Sequence, residues 1–189
     1  MINTVLKTQR LVLRPLGPED APALLRYALD NQDWLEPWEP ARHESYYTQD
    51  AQRGILHQNL EDRRAGSGVL FGIYEKDDPL VIQGRISVSG IVRGIWQNGF
   101  VGYSVAGSRA GRGYMTEALQ RVVLFSFAEL ALHRVQASIL PRNLASLRVA
   151  AKCRFRYEGR GLRYMEINNI WEDHDIYAIT AEELRGGYL

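Results

Sequence analysis

The sequence predicts one domain with an α/β (α+β) fold, a mixed, mostly antiparallel central sheet flanked by helices. Three observations lead there. Short alternating apolar runs, Val69/Phe71/Ile73 and Ile86/Val88, lie on either side of the turn Asp77-Asp78-Pro79, which marks an antiparallel hairpin. From Phe100 to Phe155 strand-like runs alternate with helical ones, so the sheet also acquires parallel pairing. The 189 residues suffice for one substantial core and are few for two, so the domain is taken as residues 1–189.

Leu11 to Leu16 reads as a strand, with Leu11 and Leu13 on one face and Arg10, Val12 and Arg14 on the other. Pro18-Glu19-Asp20 starts a helix, because proline suits a first turn and acids suit its positive end. Leu24, Leu25, Ala28 and Leu29 form its apolar stripe, and Trp34-Leu35-Glu36-Pro37-Trp38-Glu39-Pro40 breaks it. Ser45 to Arg64 reads as a more polar helix, weakly patterned by Ile55, Leu56 and Leu60 and ended by Gly66 and Gly68; it is expected to cover an edge or act as a lid. After the hairpin, Gly90 marks a bulge. Phe100, Gly102 and Ser104 then share one strand face, with Val101, Tyr103 and Val105 on the other. Two further strands occupy Phe155 to Thr180, the last beginning near Trp171-Glu172-Asp173-His174-Asp175.

The stretch with the most chemistry runs from Ala106 to Ala118. A strand enters a turn containing Gly111 and Gly113 and passes directly into a helix patterned by Met115, Leu119, Val122, Val123, Phe127 and Leu130. Glycines let the backbone curl so that successive N–H groups point outward, and the first unpaired amides of the helix add their dipoles. Arg109 and Arg112 add positive charge. The turn is therefore an anion site for a phosphate-bearing ligand. Thr116 stands where a dinucleotide fingerprint needs its third glycine, and no Gly-Lys-Ser/Thr follows, which weakens both the Rossmann-turn and the nucleotide P-loop readings.

Downstream come a strand, His133 to Leu140, then Pro141-Arg142-Asn143-Leu144-Ala145-Ser146, a short helix to Lys152, and an extended run from Phe155. This order, with its Asn-x-x-Ser helix start, resembles the GNAT superfamily of acyl-CoA-dependent N-acetyltransferases, over nearly the whole chain. Thr8-Gln9-Arg10-Leu11-Val12-Leu13-Arg14, Trp34 to Pro40, Ile91-Val92-Arg93-Gly94 and Gly102-Tyr103-Ser104-Val105 are similar to its ribosomal-protein-alanine branch. The resemblance implies direct acetyl transfer from acetyl-CoA to the N-terminal α-amine of a protein, such as a ribosomal protein beginning with alanine, and an association with the ribosome.

It also implies roles. The cofactor's pantetheine would lie along Gly102 to Ala106, including Tyr103, Ser104 and Val105, borrowing backbone hydrogen bonds as an added strand does. The pyrophosphate would meet Arg109, Ala110, Gly111, Arg112, Gly113, Tyr114, Met115 and Thr116. Ala110 replaces the long polar residue of the family motif and Met115 the small one. Asn143 would bond the cofactor, or cap the helix that follows. Many members carry, four residues beyond the position of Ser146, a tyrosine that protonates the departing thiolate; here it is Ala150, which leaves Ser146 as thiol partner. Glu39 and Glu44 are candidates for the base that takes the amine's proton, with Glu166 a further one. Trp34, Trp38 and Trp96 are expected to wall the substrate pocket. Arg154 stands where the family has a glycine in a left-handed helix end.

Composition sets bounds. A net charge of +1 implies no strong nucleic-acid affinity, and no sequence-specific contact is expected. The single cysteine, Cys153, forms no internal disulfide, and the N-terminus carries no long apolar run, so a cytoplasmic, membrane-free setting is expected. His43, His57, His133 and His174 lack metal-ligand spacing, so no metal is expected. Two other functions fit the same residues: acetylation of a small amine, such as an aminoacyl nucleotide or an antibiotic-like compound, and an acyl-CoA-binding interaction protein whose catalysis has decayed. Monomer and dimer are equally compatible with the sequence.

Overall fold

The computed structural model describes residues 1–185, so 186–189 of the predicted domain lie outside the described residues. Eight strands form one sheet in the order β1-β2-β3-β4-β5-β6-β8-β7. They are β1 (Leu6–Lys7), β2 (Leu11–Pro15), β3 (Val69–Glu75), β4 (Gly84–Val92), β5 (Asn98–Val105), β6 (Arg134–Ile139), β7 (Arg156–Ile167) and β8 (Ile170–Thr180). Among the described residues, only β5 and β6 pair in parallel; every other neighbouring pair is antiparallel. The helices are α1 (Ala21–Asp30), α2 (Gln32–Leu35), α3 (Gln49–Ala65), α4 (Tyr114–Ala128), α5 (Leu144–Lys152) and α6 (Ala181–Arg185). No helix among the described residues is long and apolar enough to cross a membrane.

Strand alternation divides the interior into two clusters. Leu11, Leu13, Phe71, Ile73, Ile86, Val88 and Val101 face α4 and α5, where Met115, Leu119, Val122 and Phe125 meet them. Phe71 and Phe125 pack edge to face at 5.6 Å. Residues of the opposite face, with Leu16 and Tyr74, cover Leu24 and Tyr27 of α1 and Leu56 of α3. In α4 the buried aromatic is Phe125, while Phe127 is only partly buried. In α1 Tyr27 takes the inward place expected of Leu29, which is half exposed, because a helix that begins at Ala21 rotates the stripe onto Ala21, Leu24, Tyr27 and Ala28.

The expected helix at 45–64 is divided. A 3-10 turn, Glu44–Tyr47, precedes Thr48, whose hydroxyl accepts from Ala51 N at 3.3 Å and caps α3. α3 packs on α1 and β3 instead of acting as a lid. Polar groups dock it: Asn59 Nδ2 donates to Leu16 O at 2.8 Å, and Arg63 donates to the carbonyls of Ile2 and Leu16. That polar face explains why its apolar pattern is weak. Gly66, at φ 72°, closes the helix as the sequence predicts. At Gly90 the β4–β5 register shifts, so the predicted bulge is present.

Candidate functional site

β5 is the axis of the site. It pairs with β4 as far as Gly84↔Val105, but with β6 only from Asn98↔Arg134 to Phe100↔Gln136. Beyond Phe100 the two parallel strands separate. One edge of Val101 to Val105 has no strand partner over about 15 Å, and at its end the Val105 carbonyl accepts from Trp34 Nε1. Tyr103 reaches across this wedge, its hydroxyl donating to Ser146 O at 3.3 Å in the first turn of α5. Burial holds the Tyr103 phenol above its ordinary pKa, with nearby Cys153 adding to the shift and the hydrogen bond at Ser146 opposing it.

At the end of β5 the chain makes a 3-10 turn, Gly107–Arg109, and enters α4 through Gly111 at φ 74° and Gly113 at φ 80°. Both are left-handed, the region glycine adopts without a Cβ penalty. Gly113 is the N-cap of α4, so the N–H groups of Gly113 to Thr116 have no acceptor within the helix. The turn is braced from two sides. Arg10 donates through its backbone N and Nε to Glu117 at 2.8 and 2.7 Å, donates through Nη1 to Arg112 O at 2.9 Å, and lies 4.7 Å over the Tyr114 ring. Arg109 Nε and the Tyr114 hydroxyl both donate to Glu75 Oε1, at 2.9 and 2.6 Å.

These contacts set the acids of the turn. The Tyr114 hydrogen bond, with Arg109 beside it, holds Glu75 below the usual carboxylate range. For Glu117 burial acts upward, but bonds from Thr8 and from the N–H and guanidinium of Arg10 outweigh it and the pKa falls. Both acids stay ionised and are covered by cations.

A cavity of about 110 Å³ is lined by residues that include Tyr27, Leu35, Glu39, Tyr46 and Tyr47, with Arg85 of β4. At its floor both Glu39 oxygens accept from Arg85 Nη2, at 2.6 and 2.7 Å. Arg85 Nε also donates to Ser104 Oγ at 3.2 Å, and the Tyr27 hydroxyl meets the same oxygen at 3.0 Å. Burial pushes the Tyr27 phenol up to about 12, against the hydrogen bond from Ser104 and the charge of Arg85. Ser104 thus connects the cavity to the open strand.

The structure gathers Tyr103, Ser104, Val105 and the turn from Arg109 to Thr116 around one end of β5. Arg109 is engaged with Glu75, and the Met115 side chain is a core anchor, so neither side chain is turned toward the head of α4 as a free contact. Asn143 does cap α5, its Oδ1 accepting from Ser146 N at 3.0 Å. The cap uses the oxygen alone. Ser146 sits beside the wedge, in the same helical turn.

Several expectations are corrected. Glu39 lines the cavity; Glu44 is exposed in the neighbouring turn, and Glu166 is exposed opposite Trp171 on the β7–β8 hairpin. The cavity's aromatic wall is tyrosine, not tryptophan. Trp34 instead closes the end of β5, its Nε1 donating to Val105 O at 3.1 Å and its ring covering Gly107. Trp38 stacks under Arg142 at 5.4 Å. Trp96 lies in the β4–β5 connection, at the opposite end of β5 from the turn, and is 64% exposed. An apolar ring in a turn carries no signal of which end of its strand faces the site.

The residues missed from sequence are Arg10, Arg85, Arg142 and Tyr27. Arg10 lies just before β2 and meets Glu117 from 107 positions away, a pairing that no local pattern announces. Arg85 had a faint signal, a lone cation in an apolar alternating strand, which demands a counter-ion when buried.

A wedge between two parallel strands, a glycine turn at its end and a polar cavity joined to the same strand through Ser104 form the candidate site. The Acetyltransferase (GNAT) domain family matches residues 10–156, and the chain belongs to that family. Among individual relatives, the probable N-acetyltransferase YjcK of Bacillus subtilis is 38% identical over 175 residues, covering 93% of this chain and 96% of that protein. The ribosomal protein uS5-alanine N-acetyltransferase of Escherichia coli is 32% identical over 182 residues, covering 96% and 93%. The structure of Mycobacterium smegmatis RimJ in complex with CoA-disulfide superimposes with a TM-score of 0.91 at 32% identity, covering 97% of this chain and 90% of that one.

Proposed function

We propose that the protein transfers an acetyl group from acetyl-CoA directly to the N-terminal α-amine of a protein, with a ribosomal protein beginning with alanine as the acceptor. One observation supports the reading: the partnerless edge of β5 leads into the glycine turn at the head of α4, and Ser104 of the same strand bonds Arg85 and Tyr27 of the Glu39–Arg85 cavity, so donor and amine would meet at one strand. The uS5-alanine specificity of the Escherichia coli relative supports the acceptor. Association with the ribosome and a cytoplasmic setting go with such an acceptor.

The residues present fit the cofactor. The edge from Val101 to Val105, apart from the Val105 carbonyl that Trp34 holds, would offer strand-like hydrogen bonds to an extended pantetheine, and two left-handed glycines leave the first amides of α4 for a pyrophosphate. Acetyl-CoA supplies the acetyl group as an activated thioester. Backbone N–H groups of the open strand polarise the carbonyl, an effect worth about 3 kcal/mol for one well-placed donor. The Ser146 hydroxyl, at the head of α5, would pass a proton to the leaving sulfur and regain one from water, so that it ends neutral.

An α-amino group has a pKa near ~8, so at neutral pH about a tenth is already neutral and the base has little to do. Glu39 receives the remaining proton through water while Arg85 holds the carboxylate in place. A covalent acetyl-cysteine is not part of this route. Burial pushes the Cys153 thiol up to about 12, and the group is only 4% exposed, so no thiolate nucleophile is on hand.

The test is mass-spectrometric. With acetyl-CoA, a peptide starting with alanine becomes acetylated, while a peptide with a blocked N-terminus and a free lysine does not. Acetylation of the lysine peptide alone, or of neither peptide by protein shown to bind CoA, overturns the N-terminal reading; the second result favours a small amine or a binding protein without turnover. Ser146→Ala lowers turnover far more than CoA affinity, and equal activity returns that serine to a structural part.

A further inference from the structure

The segment 31–47 carries most of the acceptor cavity, including Gln32, Leu35, Glu36, Glu39 and Arg42. It is tied to the cofactor side by four elements. Asn31 Oδ1 accepts from Gly107 N at 2.9 Å, Trp34 Nε1 donates to Val105 O at 3.1 Å, and Asn168 Nδ2, from the β7–β8 turn, donates to Glu36 O at 3.1 Å. The fourth tie is Arg142. Its Nη1 donates to Pro37 O at 2.8 Å, its Nη2 pairs with Glu172 of β8 at 2.5 Å, and its guanidinium lies 5.4 Å from the Trp38 ring centroid.

Arg142 directly precedes Asn143, the cap of α5. One residue therefore fastens the acceptor loop to the helix head that borders the cofactor wedge. The planar fork of arginine suits this place, since it addresses a carbonyl, a carboxylate and a ring face at once; an ammonium is a single point of charge. Glu172 supplies the counter-charge and fixes the fork against β8.

On the reading of the site given above, we infer that Arg142 is a positioning residue that holds the acceptor loop over the wedge and so sets the affinity for the incoming amine. It touches neither the reacting atoms nor the anion turn. Its loss therefore acts on acceptor binding and leaves the cofactor's grip unchanged.

The experiment compares Arg142→Ala, Arg142→Lys and Glu172→Gln with the control Arg148→Ala, an exposed position on α5. Three quantities are read: Kd for CoA, acceptor KM with kcat, and the rate at which trypsin cleaves after Arg42 within the loop. Arg142→Ala raises acceptor KM by about tenfold with kcat within about twofold, the pattern of lost uniform binding, and leaves CoA affinity unchanged. It also speeds cleavage after Arg42. Arg142→Lys restores part of each effect, Glu172→Gln reproduces them at smaller amplitude, and Arg148→Ala matches the parent.

Unchanged cleavage in both Arg142→Ala and Glu172→Gln overturns the inference, as does a loss of CoA affinity equal to the rise in KM. If Arg142→Ala does not fold, Glu172→Gln carries the same test. Cleavage and CoA binding are read without an acceptor, so failure to acetylate any peptide removes the proposed function without deciding the clamp.

Discussion

Gly113→Asp tests the anion turn most directly. Gly113 caps α4 at φ 80°, and a Cβ built there meets only Arg10 Nη2, at 3.5 Å. Alanine therefore fits in space and carries only the left-handed backbone cost, about 1 kcal/mol, or some 2–4 °C in Tm for a chain of this size. Aspartate has a similar backbone cost and adds a carboxylate where a phosphate is to sit. Two unit charges 4 Å apart repel by about 4 kcal/mol at an effective dielectric of 20. Gly113 is exposed, so solvent and salt roughly halve this, leaving about 2 kcal/mol, or about thirtyfold in affinity. Calorimetry with CoA at low and high salt, alongside thermal melts, separates the two effects. Alanine changes Kd by no more than a few-fold, while aspartate weakens CoA by about thirtyfold at low salt and by less at high salt. If Gly113→Asp and Gly113→Ala bind CoA alike, the phosphate does not lie at the head of α4.

Other substitutions probe neighbouring parts of the same machinery. Asn143→Ala removes the α5 cap and lowers stability by about 1 kcal/mol, read by urea titration. Glu39→Gln strips the counter-ion from Arg85, whose side chain is 17% exposed; it costs about 2–3 kcal/mol, and adding Arg85→Met recovers most of that loss in the same titration. Arg154 adopts φ 61°, so Arg154→Gly raises Tm by about 2 °C as the left-handed backbone is relieved. Glu117 has a depressed folded pKa, so its contribution is complete above the ordinary carboxylate value of about 4.3 and is lost as pH falls through the lower folded value. Glu117→Gln accordingly lowers stability at pH 7 and flattens the acid limb below the ordinary carboxylate range, and an acid limb as steep as the parent's would remove Glu117 from the account.

Much of the architecture is written in local patterns. Alternation in Val69/Phe71/Ile73, glycines at 111 and 113, and the 3.6-residue stripe of α4 each depend on neighbours within a few positions, so strand, turn and helix follow from short-range sterics and burial. The glycine turn at the head of α4 was legible for that reason, because its shape is set by backbone. The left-handed state of Arg154 was legible too, from the place of a missing glycine. Weak or misleading patterns failed in physical ways. β1 is two residues long, too short for a period to show, and α3 docks through Gln52, Asn59 and Arg63 as well as Leu56.

The acceptor end belongs to the tertiary structure. Which acid lines the cavity, Glu39 and not Glu44 or Glu166, depends on Arg85 arriving from a strand 46 positions away. The bracing of the turn needs Arg10 beside Glu117, 107 positions apart, and the loop clamp needs Arg142 beside Pro37, 105 apart. A charged side chain carries no local mark of its partner. The pairing follows from where the sheet order places two surfaces, and the electrostatic attraction that holds it has no counterpart in periodicity. The residues supply the left-handed glycine turn at the head of α4; the folded sheet decides what is set opposite it.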